Sequence, residues 1–155
     1  MLKIFSLSPS TWHYGGNTDA ACFSVDKDIV LHGVCLIGIK NGSYFVELDV
    51  TESFSESSVA SKAGQFSSEL IQGNNYSYHG YRVLFDKKII LKKNTIYHIR
   101  AKISGPPSLR GKRGGYCPVQ SVQCSGVTFE FIDSLYSQNR TCAFDGQFSE
   151  FIFAV

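Results

Sequence analysis

Apolar residues recur at every second position through much of this chain, and that spacing constrains its fold more than any other feature. Between residues 96 and 103, Tyr97, Ile99, Ala101 and Ile103 fall on one face of an extended segment, while His98, Arg100 and Lys102 fall on the other. Val127, Phe129 and Phe131 alternate with Thr128 and Glu130, and Val46, Leu48 and Val50 alternate with Glu47, Asp49 and Thr51. Such alternation marks half-buried antiparallel strands. Residues 29–39 are apolar on both faces, with Ile29, Leu31, Cys35 and Ile37 opposite Val30, Val34 and Leu36, which predicts a central strand covered on both sides or one crossing from one sheet to another. Residues 148–155 form a similar apolar run and are expected to close a sheet. Further strands are predicted over residues 2–7, 11–14, 20–25, 78–85 and 89–91. No segment has a sustained 3.6-residue period. Residues 57–70, mostly serine and small side chains, are expected to form at most a helical turn.

Turn signals break these runs at short intervals: Gly15-Gly16-Asn17, Asn41-Gly42, Gly73-Asn74-Asn75, Gly105-Pro106-Pro107 and Gly114-Gly115. Asn-Gly between two β runs is a strong hairpin signal. Many short strands with frequent turns predict an all-β fold, an antiparallel β-sandwich of jelly-roll type, in one domain over residues 1–155. A chain of 155 residues buries roughly 70% of its unfolded surface, so a core can form without metals or disulfides. With 43% hydrophobic and 18% charged residues, the composition is that of a globular protein.

The net charge of +2 does not call for a polyanionic partner. Its distribution is uneven: acidic residues gather between Asp19 and Glu69, basic ones between Arg82 and Arg113. Lys87-Lys88 and Lys92-Lys93 bracket a short apolar run. Without interleaved stacking aromatics they read better as guards of an edge strand than as a nucleic-acid surface. Five cysteines, odd in number and without a CxxC pair, suggest neither a disulfide framework nor a zinc site. Cys22 and Cys35 lie in apolar runs, as free thiols do in a reducing compartment. Sequons at Asn41, Asn75 and Asn139 point the other way, but arise easily by chance in a serine-rich chain. The expectation is an intracellular, cytoplasmic domain, with no signal peptide and no apolar run near the ~20 residues of a membrane span. Apolar runs close to both termini suggest a domain excised from a much larger chain.

Neither His13, His32, His79 nor His98 carries a local catalytic or metal-binding signature, so no catalytic residue, metal or cofactor is expected. Residues 104–116 (SGPPSLRGKRGGY) fail as a phosphate-binding loop. Five residues separate Gly105 from Gly111, and Arg113 follows Lys112 in place of Ser or Thr. As a recognition loop the stretch is better equipped, with Arg110, Lys112 and Arg113 as cationic donors on a glycine-rich frame. A merely solvated loop is the competing reading. Tyr76, Tyr78 and Tyr81 with Arg82 resemble the aromatic chemistry of recognition surfaces, although packing at the rim of a core explains them slightly better.

Residues 12–26 (WHYGGNTDAACFSVD) resemble the opening of PHR domains, the modules of the Pam/Highwire family of giant ubiquitin ligases. Ile29, Leu31, Gly33-Val34, Leu36 and Gly38 match the next strand. Val83-x-Phe85, Ile89-x-Leu91 and Asn94-x-x-Tyr97 match the middle, and Ile103-x-Gly105-Pro106, Gly111 and Gly114 the long loop. Residues 124–131 (CSGVTFEF) and 146–153 (GQFSEFIF) match the last strands. Cys35 and Ala21 depart from the usual glycine and larger aliphatic, which bears on packing. The resemblance spans nearly the whole chain. It implies a β-sandwich with binding loops at one end, inside a RING-type ligase acting in neurons and synapse growth, with ubiquitin transfer performed elsewhere. BTB-domain adaptors of cullin ligases are a second setting, less close in the Ser-Gly-Pro loop and the closing segment. A monomeric, non-enzymatic domain is expected to bind a protein partner through Asn17, Tyr78, Arg110, Lys112 and Arg113. A cysteine-dependent enzyme and a nucleic-acid binder are the alternatives of other classes.

Overall fold

Backbone pairing follows the period-two pattern closely. The computed structural model describes residues 2–3, 6–14, 16–53, 55, 57–73, 76–112, 119–134, 136–137 and 145–155. In chain order the strands are β1 (Leu2–Lys3), β2 (Ser6–Trp12), β3 (Thr18–Val25), β4 (Ile29–Ile37), β5 (Ser43–Glu52), β6 (Ser58–Ser67) and β7 (Glu69–Gly73). They continue with β8 (Tyr76–Leu91), β9 (Tyr97–Ser104), β10 (Ser108–Lys112), β11 (Val119–Cys124), β12 (Val127–Asp133), β13 (Asp145–Gly146) and β14 (Phe148–Ala154). No helix occurs among the described residues. A five-stranded sheet, β1-β14-β4-β8-β7, faces a six-stranded sheet, β11-β12-β3-β9-β5-β6, and every pairing is antiparallel. The chain is the β-sandwich that its alternation predicts.

Phenylalanines join the two layers. Phe151 of β14 stands edge-on to Phe23 of β3 at 5.0 Å, and to Phe131 and Phe129 of β12 at 5.5 and 5.8 Å. Edge-to-face contact suits the ring quadrupole, and burying each ring is worth about 1.5–3 kcal/mol. Ile99, Ala101 and Ile103 of β9 are buried in the same core, as the alternation requires.

The central strand β4 is covered on both faces, but its two apolar sets are not those of unbroken alternation. A bulge between Leu31 and Gly33 shifts its register against β8. Ile29 and Leu31 therefore join Val34 and Leu36 in the main core, leaving Cys35 on the outer face with Ile71 and Tyr78. Gly33 permits this crossing: a Cβ there would lie 2.2 Å from the Val83 carbonyl oxygen.

Three expectations need correction. Residues 57–70 form β6 and β7 rather than a helical turn, because an edge strand is held by backbone bonds to its neighbour. β6 buries only Ala60 and still pairs with β5 from Ser43↔Ser67 to Thr51↔Ser58. The runs 78–85 and 89–91 are one strand, β8, interrupted opposite β4 by a bulge. The long loop is also partly a strand. β1 pairs directly with β14, but where the chain continues as β2 on one side and β13 on the other, β10 lies between them in a three-stranded sheet. Arg110 and Lys112 are on that strand, opposite Ser8 and Ser6.

Candidate interaction surface

Registers place several connections at one end of the sandwich. Thr18 opens β3 opposite Lys102 of β9, Ser43 opens β5 opposite Ser67 of β6, and Ser104 lies opposite Phe45. The connecting residues 13–14, 16–17, 38–42, 68 and 105–107 therefore leave the sheets together. Ile37, the last residue of β4, pairs with Gly80 near the start of β8, which brings Tyr76 and Tyr78 to the same end.

A buried polar cluster ties this end together. Tyr14 donates its hydroxyl to Gln147 Oε1 at 2.5 Å and lies 2.7 Å from Ser108 Oγ. Ser108 Oγ also donates to Gln147 Oε1 at 3.0 Å, and Gln147 Nε2 donates to the Leu109 carbonyl at 3.2 Å. The Gln147 carbonyl accepts from the Ile37 N–H at 3.1 Å. The opening segment, the long connection and the closing segment thus meet within hydrogen-bond distance, and the bonds clamp β10 at Ser108. Burial, with Asp19 and Tyr44 adding to it, holds the Tyr14 hydroxyl well above the usual phenol range, so it is a neutral donor.

Beside it the Tyr44 ring meets Tyr14 edge-on at 5.8 Å and stacks on Tyr81 at 5.1 Å. The adjoining turns close over Tyr44. A Cβ on Gly105, which has φ +159°, would come within 2.5 Å of that ring, and one on Gly42 within 2.9 Å. Burial also holds the Tyr44 and Tyr81 hydroxyls above the usual phenol range, so they stay protonated. The tyrosine rings that floor this end are therefore neutral at pH 7, with Asp19 buried beside them.

Asn17 is exposed here, with its N–H on the Tyr14 carbonyl at 3.3 Å. Tyr78 is only 6% exposed, which fits the packing role. Its hydroxyl donates to Glu150 Oε1 at 2.6 Å and lies 2.8 Å from Ser149 Oγ, which in turn donates to the Cys35 carbonyl at 3.0 Å. Arg110 and Lys112 run away from the loop end along β10, and Arg113 lies outside the described residues. Sequence reasoning did not single out Tyr14, Ser108, Gln147 or Glu150. The available signal was the polar trio Gln147, Ser149 and Glu150 inside an apolar closing run.

A cysteine–histidine pair does form. Cys22 Sγ is 4.0 Å from His98 Nε2, and His98 Nδ1 is 2.9 Å from Ser134 Oγ. The order of groups is that of a nucleophile, a base and its orienting partner. The environment works against that chemistry. Burial pushes the Cys22 thiol up to about 11, and burial with the nearby Arg100 pulls the His98 imidazolium down. Thiol and imidazole are therefore both neutral at pH 7. The cavity beside Cys22 holds ≈ 50 Å³, against roughly 300 Å³ or more for a small-molecule site. Cys35 is pushed up to about 12 by burial and by the Glu150 carboxylate. Among the described residues no group of three or more His, Cys, Asp or Glu can hold a metal ion. No helix of the described residues is long and apolar enough to cross a membrane.

A family model for the PHR domain matches residues 4–154. BTB/POZ domain-containing protein 6-B of Danio rerio is 29% identical over 143 residues, covering 92% of this chain and 28% of that protein. The E3 ubiquitin-protein ligase MYCBP2 of Danio rerio is 30% identical over 154 residues, covering 92% of this chain and 3% of that protein. BTB/POZ domain-containing protein 6 of Xenopus tropicalis is 29% identical over 143 residues, 25% of its length. The chain spans less than a third of each of these relatives.

Proposed function

Because the chain belongs to the PHR domain family, we propose that it is a protein-interaction module that recruits or positions substrates or regulators for ubiquitin ligation. Ubiquitin transfer takes place elsewhere in the parent assembly, and the domain itself catalyses nothing. The observation that carries this reading is the convergence of Tyr14, Ser108 and Gln147. Three segments far apart in sequence are spent on bonding the loop end and β10 into one rigid frame. A rigid frame beneath exposed connections is the arrangement of a binding end. The reactive groups that do lie close together, Cys22 and His98, are held neutral by burial.

Asn17 and the cations Arg110, Lys112 and Arg113 contact the partner, and Tyr78, bonded to Glu150, packs at the rim of the same end. Partner carboxylates or phosphates suit the arginine forks. The ligase and the BTB/POZ proteins match the chain at nearly equal identity, 30% and 29%. Within the first setting the parent is a RING-type ligase of neurons and synapses. In the second it is a substrate-recognition arm of a cullin adaptor. In either setting the domain acts as a monomeric module of the cytoplasm, a reading that the buried free thiols Cys22 and Cys35 support.

The test is affinity capture with the folded domain, comparing the native chain with Asn17→Arg and with Arg110→Ala, Lys112→Ala and Arg113→Ala combined. Partners held by the native chain are expected to be lost on both variants while the thermal midpoint stays put. Retention of every partner by both variants refutes this surface.

A further inference from the structure

Open antiparallel sheets end in edges whose N–H and C=O groups have no strand to bond, and natural proteins guard them with charge, proline, bulges or short length. β6 is such an edge. β5 pairs one side of it, and among the described residues no strand pairs the other. β8 has a second open edge, because β7 pairs only with its residues 76–80. The two edges run side by side, joined by Lys62 Nζ and Asp86 Oδ1 at 2.7 Å. Between them opens a cleft of ≈ 280 Å³ lined by Val59, Ala60, Phe85, Ile89 and Lys87. It adjoins a groove of ≈ 540 Å³ that shares Ser58, Ser61 and Asp86.

The guarding is uneven. On β8 the residues between Leu84 and Ile89 bulge opposite His32 and carry Lys87 and Lys88. β6 has ten residues, no proline, and a single charge, Lys62, that is already engaged by Asp86. In an antiparallel strand of that length about five backbone donor–acceptor sets face away from the paired neighbour. An apolar slot stands beside them, with Val59 39% exposed.

We propose that the β6 edge receives an extended segment of a partner protein as a seventh strand of the six-stranded sheet. The segment carries alternating apolar side chains, one of which enters the cleft between Phe85 and Ile89. Its acidic end meets Lys87 and Lys88, which have no ion-pair partner among the described residues. Main-chain bonds supply affinity and the cleft supplies selectivity, as in other strand-addition complexes. This surface is separate from the loop end, and neither depends on the other.

The probe is the octapeptide Glu-Val-Thr-Val-Thr-Val-Thr-Glu, added to the folded chain while amide hydrogen exchange is followed residue by residue. In the free chain, alternate amides of β6 exchange fast. With peptide they slow more than about tenfold. The same peptide N-methylated at alternate residues leaves them fast, and Lys87→Glu with Lys88→Glu weakens the native peptide at least about fivefold at an unchanged thermal midpoint. Full protection of β6 in the free chain, or no slowing at about 1 mM peptide, overturns the proposal. Equal slowing at β11, the opposite edge, overturns it as well. Loop-end variants leave this signal intact.

Discussion

Replacing Gln147 by leucine keeps the side chain's approximate volume and removes its two polar atoms from a wholly buried site. Two bonds to Oε1 and one from Nε2 are lost, each worth about 1 kcal/mol net. Part of that loss is recovered. Ser108 Oγ lies 3.1 Å from the Leu109 carbonyl and can donate there, and the Tyr14 hydroxyl lies 3.2 Å from the Ile37 carbonyl. The expected destabilisation of Gln147→Leu is therefore about 2 kcal/mol, and that of Tyr14→Phe about 1–1.5 kcal/mol. Both substitutions delete the same Tyr14–Gln147 bond. The double variant should be less destabilised than their sum by about 1 kcal/mol. Urea unfolding of the four proteins measures the cycle, with m expected to stay constant. For a chain of this size, Gln147→Leu should lower the melting temperature by roughly 4–8 °C. Amide exchange over residues 108–112 should quicken selectively, because the clamp on β10 is gone. Strict additivity within about 0.3 kcal/mol, or unaltered exchange in β10, would show that the three segments are merely adjacent.

Gly33→Ala places a methyl 2.2 Å from the Val83 carbonyl oxygen and 2.9 Å from Leu84 Cα, so β4 and β8 must part. A loss of about 3 kcal/mol is expected by thermal or urea melting, and a loss below about 1 kcal/mol would disprove the close approach. His98 has a folded pKa below its unfolded value through burial and Arg100. The unfolded chain then binds the proton first. Stability should fall as pH drops through the ordinary histidine value near about 6.5 and level off below the folded value. His98→Asn should remove that dependence in urea midpoints, and an unchanged pH slope in this variant would contradict it. With thiols raised to about 11 and about 12, Cys22 and Cys35 should alkylate about two and about three orders of magnitude more slowly than free cysteine at neutral pH. Peptide mapping reads each site, and rapid labelling of Cys22 would revive the cysteine-enzyme reading.

Alternation in β5, β9 and β12 was legible because one face of each strand meets the core and the other meets solvent, so periodicity and burial carry the same information. β4 was legible as a doubly covered strand, but not in its parity. The bulge at His32 reverses which residues face inward, and a bulge arises from pairing with β8, not from composition. β6 and β10 were hidden for a different reason. β6 is held mainly by backbone bonds, to which periodicity is blind. β10 sits in a stretch rich in glycine and proline that reads as a loop until β2 and β13 supply its partners.

The site divides in the same way. The motifs holding Tyr14, Gln147 and Glu150 could be recognised as family signatures, and Asn17 could be placed on a turn. That Tyr14, Ser108 and Gln147 share one set of hydrogen bonds could not, since they are separated by 94 and 39 positions along the chain. What the order of residues determined on its own is that faces alternate and two apolar surfaces must be buried against each other, because each side chain's hydrophobicity acts locally. Which polar groups satisfy one another inside, and which strand edges remain unpaired, was decided only by the closed sandwich. Hydrogen bonds require donors and acceptors within about 3 Å, and only folding brings distant residues that close.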